Sequence, residues 1–96
     1  PTETEIYIKL DVTKRLPTDI IDTDAIKTAL SNLLFNIAQN ITATELYATI
    51  YSAGNTFIAS NLQLSLDDIT YVSDLLNADY SERLVIIDTQ ITITEI

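Results

Sequence analysis

The sequence predicts an α+β fold: a small mixed three-stranded sheet with two helices packed on one face, in the order strand, helix, helix, strand, short helix or loop, strand. Three observations carry this prediction. Ile6, Ile8, Leu10 and Val12 alternate with Tyr7, Lys9 and Asp11; aliphatic residues recur at three-and-four spacing after Asp24; and Leu84 to Glu95 is long, β-branched and free of glycine and proline. With 96 residues, 47% hydrophobic and 20% charged, the composition is that of a packed globule, and residues 1–96 read as one domain.

The first strand runs from Glu5 to Thr13 with one face apolar. Lys14 to Asp22, which contains Pro17, reads as a loop, and Asp22 or Thr23 then accepts the free amides that open a helix. Ile26, Ala29, Leu30, Leu33, Leu34, Ile37 and Ala38 place that helix over Asp24 to Ala38. A second helix is expected from Thr42, because Thr42 and Glu45 stand in capping-box relation and Ile41 and Leu46 occupy the hydrophobic-staple positions. Residue propensity across Tyr47 to Tyr51 favours a strand, but these end signals outweigh it. Gly54, the one glycine, falls where a left-handed carboxyl cap belongs.

Phe57 to Leu66 returns to period two, with Leu62, Leu64 and Leu66 opposite Asn61, Gln63 and Ser65. Asp67-Asp68 ends that strand, and Ile69, Val72, Leu75 and Leu76 read as one or two helical turns or an irregular covering loop. The last strand is apolar on both faces at Leu84 to Ile87, which suits a central position, and one-sided from Ile91 to Thr94.

Charge and composition exclude several function classes. Five Lys and Arg against fourteen Asp and Glu give a net charge of −9, which opposes phosphate backbones and anionic membrane surfaces as partners. The absence of His and Cys removes the commonest general base, the usual thiol nucleophile and every nitrogen or sulfur zinc ligand. No apolar run reaches the length of about 18 residues that a membrane helix needs, and the amino end, Pro1-Thr2-Glu3-Thr4-Glu5, is the reverse of a basic signal peptide. A soluble chain without a standard export signal is expected. Its start at Pro1 fits a processed product or a piece of something longer.

Four local features invite chemistry and have simpler explanations. Asp19, Asp22 and Asp24 could hold a hard cation, but they lack the glycine and distal glutamate of an EF-hand, and acids before a helix serve capping and the helix dipole. Pro1 could act as an amine base, as in tautomerases that use an N-terminal proline; Glu3 and Glu5 would repel an anionic substrate, and only Lys14 and Arg15 are candidates to hold it. Asn40-Ile41-Thr42 matches a glycosylation sequon, but Thr42 is assigned to the cap. From Thr28 to Glu82 there is no cation, while Glu45, Asp67, Asp68, Asp74, Asp79 and Glu82 contribute −6. An acidic inhibitor that mimics nucleic acid in a basic cleft would carry such a stretch, and so would a subunit that packs on basic neighbours.

The candidate interface residues are Tyr47 and Tyr51, one helical turn apart, and Asn61, Gln63, Thr92 and Thr94 on uncharged polar strand faces. Core packing is the competing explanation for the tyrosines, and a plain solvated face for the strands. No catalytic, metal or cofactor residue is expected.

The stretch Glu45 to Ser65, ELYATIYSAGNTFIASNLQLS, resembles the carboxyl-terminal part of baseplate J-like proteins, wedge components of contractile phage tails. Ile6 to Val12 would correspond to the first strand of that family, Asp24 to Ala38 to its long helix, and Leu46, Ile50 and Gly54 to the helix-to-strand signature. Ile58, Leu62 and Leu64 would lie in the next strand, and Thr89 to Ile96 in the closing one. Asn55-Thr56-Phe57 departs from the valine-containing turn of that pattern. The resemblance implies a non-enzymatic structural role: pairing of domains around a tail hub, other subunits of the same assembly as partners, and residence in the virion or, during assembly, in the host cytoplasm.

Overall fold

The structure, a computed structural model, describes residues 2–96. Its elements are β1 (Thr2–Lys14), α1 (Thr23–Ser31), β2 (Ile41–Thr42), α2 (Ala43–Ser52), β3 (Phe57–Ser65), β4 (Tyr71–Val72), β5 (Leu75–Leu76) and β6 (Glu82–Glu95). The α+β class is as expected. The sheet has four strands where three were predicted, in the order β4-β3-β1-β6, and β2 and β5 form a separate antiparallel pair. β1 is the centre, antiparallel to β3 and parallel to β6. The longest dimension, 46 Å, matches a 14-residue strand at about 3.3 Å per residue.

The helices cover one sheet face, α1 against β6 and α2 against β3, with Ile26, Leu30, Leu46 and Ile50 fully buried on Ile6, Ile8, Leu10 and Val12. At the start of α1 the Asp22 carboxylate accepts the Ala25 amide at 3.1 Å. The capping box of α2 is complete: the Thr42 hydroxyl accepts the Glu45 amide, and the Glu45 carboxylate accepts the Thr42 amide at 2.8 Å. Ile41 and Leu46, the staple pair, are both fully buried.

Several expectations are corrected. α1 ends at Ser31, seven residues short of Ala38. Ser31 and Asn32 are weak helix formers, and the Ser31 hydroxyl bonds the Thr28 carbonyl. A continued helix would have aimed Phe35 along the polar Thr28-Ser31 face; the break buries Phe35 and leaves Leu34 91% and Ile37 49% exposed. The turn that follows holds Ala38 at φ 65°, and its amide donates to the Glu82 carbonyl at 2.7 Å.

Gly54 follows the α2 cap, Ala53, but its φ is not positive, and an added Cβ would meet only Phe57 Cε1 at 3.6 Å, an ordinary contact. Residues 67–82 contain no helix; β4 extends the sheet, and β5 returns to β2, with the Ala43 amide donating to the Asp74 carbonyl and the Ala78 amide to the Asn40 side chain.

β6 is an edge strand, not a central one. Its apolar run Leu84 to Ile87 does not mark burial between two strands: Leu84 and Ile86 face the helices, while Val85, opposite Glu5, is half-buried on the other face. Between Ile6↔Ile86 and Ile8↔Ile91, β1 advances two residues and β6 five, so the inward positions switch from even (Leu84, Ile86) to odd (Ile91, Ile93). β3 switches likewise at a bulge beside Leu10: Phe57 and Ala59 face inward before it, Leu62 and Leu64 after it.

Candidate functional site

The face of the sheet opposite the helices is uncovered, and the register gathers four of the six predicted interface residues on it. Gln63 and Thr92 flank Lys9 in one row. In the next row Thr94 stands beside Asp11, and Asn61, at the β3 bulge, donates from Nδ2 to Asp11 Oδ2 at 2.9 Å. Asn61 adopts φ 53°, a left-handed conformation that asparagine tolerates better than most residues. All four predicted polar residues are exposed.

Charge on this face is consumed within the chain. Lys9 Nζ sits 4.4 Å from the centroid of the Tyr71 ring, a cation-π contact. The Tyr71 hydroxyl donates to Asp68, and its pKa is pushed up to about 12, first by burial and then by that hydrogen bond. Farther along, Arg83 pairs with Glu3, Gln90 donates to Glu5, and Lys14 lies 3.9 Å from Glu95. The alternation of β1 alone places Lys9 and Asp11 on this face, but their position among the polar residues follows only from the register of both neighbouring strands.

Tyr47 and Tyr51 lie elsewhere, on α2 beside the outer edge of β3. The Tyr51 hydroxyl accepts the Ala59 amide at 2.8 Å, its ring stacks on Phe57 at 5.6 Å, and the Tyr47 hydroxyl accepts the Leu62 amide at 3.2 Å. Their polar tips thus satisfy backbone donors that no neighbouring strand reaches, since β4 pairs only with Leu64 and Ser65. Ser65, expected on the polar face, is fully buried: its hydroxyl accepts the Asp67 and Asp68 amides and donates to the Asp67 carboxylate.

The acidic residues are mostly at work locally. Asp19 accepts the Leu16 amide and Asp22 caps α1. Asp67 accepts the Thr70 and Ile69 amides, which, with Ser65, hold its carboxyl below the usual range. Glu82 accepts the Asp79 amide and the Thr4 hydroxyl. Among the described residues no group of three or more acids is placed to hold a metal ion. No helix among them is long and apolar enough to cross a membrane. Pro1 lies outside the described residues.

Compared with known proteins, the chain matches no family model and no curated protein.

Proposed function

We propose that the chain is a non-enzymatic assembly domain that joins subunits through its open sheet face, in the manner implied by the resemblance to baseplate J-like proteins of contractile tails. The observation that carries this reading is the convergence of Asn61, Gln63, Thr92 and Thr94 around Lys9 and Asp11, both of whose charges are already engaged within the chain. Apart from Lys9 and Asp11 these positions are uncharged, and the centres of protein interfaces are depleted of charged residues. The missing His and Cys agree with a structural role. Other subunits of one assembly are the proposed partners, with residence in the virion or, during assembly, in the host cytoplasm.

Light scattering over a concentration series, alone and with a candidate tail subunit, tests this. Association should appear and should weaken when Gln63 and Thr94 are both replaced by Lys. A strict monomer of 10.7 kDa without affinity for any tail subunit contradicts it.

The nucleic-acid-mimic reading has a narrower basis. Of its six acids, Glu45, Asp67, Asp68 and Glu82 accept hydrogen bonds from their own chain, which ties them to local structure. A mimic bound to a basic cleft loses affinity steeply with salt, whereas the open face should respond weakly.

A further inference from the structure

We propose that the free edge of β6 is a homodimer interface, in which Gln90 to Thr94 pairs antiparallel with the same segment of a second copy, centred on Thr92. The four-stranded sheets of two copies would then join into one continuous sheet. This inference rests on the assembly reading and names its partner.

Four observations support it. β6 pairs with β1 on one side only, and the one hydrogen bond that another segment makes on its outer side, among the described residues, is the Ala38 amide at Glu82. The edge beyond the irregular stretch is regular, with five consecutive pairs from Ile8↔Ile91 to Val12↔Glu95, so alternate backbone donors and acceptors from Ile91 onward point outward in ladder geometry. Natural edges are guarded by Lys, Pro, an inward charge or a bulge, and Ile91 to Thr94, beyond the irregular stretch, has none of these. Finally, on a chain of net charge −9 that should repel its own copies, this stretch is uncharged.

The occupant follows from self-complementarity. Reflection about Thr92 places Ile91 opposite Ile93, Thr92 opposite itself and Gln90 opposite Thr94, so apolar meets apolar on the helix side and uncharged polar meets uncharged polar on the open side. Asp88 and Glu95 then face Ile96 and Thr89, so no like charges oppose. Centring on Ile93 instead would set Ile91 against Glu95.

The chain lacks cysteine, so a single introduced thiol reports pairing without background. Directly opposed residues of an antiparallel pair lie about 4.5–5.5 Å apart at Cα, inside the range a disulfide spans. In this dimer the Gln63 positions of the two copies lie five strand spacings apart, about 24 Å, beyond any disulfide. Under mild oxidation Thr92→Cys should become a covalent dimer at least about tenfold faster than Gln63→Cys, with circular dichroism unchanged.

Charge complementation gives an independent readout. Thr92→Lys and Thr92→Glu should each weaken dimerisation about tenfold or more, and an equimolar mixture of the two should restore it. Faster cross-linking of Gln63→Cys would overturn the edge pairing while leaving assembly through the open face intact. A monomeric wild type with neither thiol cross-linking would also overturn it, and binding of a tail subunit would then decide the assembly reading separately.

Discussion

The two edges of the sheet are treated in opposite ways. Along β3, α2 lays Tyr51 and Tyr47 over the edge, so that the Ala59 and Leu62 amides end on phenolic oxygens, and β4 closes the remainder at Leu64 and Ser65. Along β6, α1 packs beneath the strand, and among the described residues only the Ala38 amide closes its outer side, at its first residue. An unpaired strand edge is a template for another chain. Two tyrosines and an extra strand cover one edge, while among the described residues the other is bare over Ile91 to Glu95, the edge that the proposed dimer would use.

The strongest way to break the contrast is to remove what holds the guard in place. Leu46, fully buried at the staple position of α2, anchors the helix that carries both tyrosines. Leu46→Ala should cost about 2–5 kcal/mol in chemical denaturation and make the protein prone to aggregate through β3 as well as β6. A subtler change keeps the rings and removes only the hydroxyls. Tyr47→Phe with Tyr51→Phe should cost about 1 kcal/mol per lost acceptor and raise exchange at the Ala59 and Leu62 amides.

Thr42→Ala removes one half of the capping box and should lower stability by about 1 kcal/mol, read as a lower melting temperature with the tyrosine bonds retained. On the open edge the expected pattern reverses. Thr92→Lys should change the stability of the monomer by no more than about 0.5 kcal/mol, because Thr92 is exposed and leaves no cavity, while self-association falls.

The smallest effect concerns the turn that leads into β4. The Asp67 carboxyl is held below its ordinary value chiefly by the Thr70 amide, then by the Ile69 amide and the Ser65 hydroxyl. Its folded pKa lies below the unfolded value of about 4, so its contribution is present above that value and is lost as pH falls through the folded one. Asp67→Asn should therefore lower stability slightly in the neutral region and leave it nearly unchanged at pH values below the folded pKa, so that the acid limb of a stability-against-pH curve flattens.

Where local chemistry sets the structure, the sequence was legible. The capping box at Thr42 and Glu45, the Asp22 cap and the alternation of β1 each follow from side chains a few residues apart, and each stands in the fold as read. Where a distant partner decides, it was not. Leu33, Leu34 and Ile37 continue the stripe of α1, yet burial of Phe35 and the bond from Ala38 to Glu82 override that periodicity. The apolar run Leu84 to Ile87 looks central in isolation, yet β6 is an edge strand, and the inward parity of its later residues is set by a phase change against β1. Four of the six interface positions share one face because alternation fixes strand faces; Tyr47 and Tyr51 do not join them, because the direction α2 takes across the sheet is a tertiary property.

Amide hydrogen exchange of the wild-type protein at low and high concentration tests the difference between the two edges most directly. Protection at Ala59 and Leu62 should be present at every concentration, whereas the outward amides of Gln90 to Thr94 should exchange rapidly when dilute and become protected as concentration rises. Outward β6 amides that exchange at one rate from the lowest to the highest concentration, or that are as protected as Ala59 in dilute monomer, would contradict it.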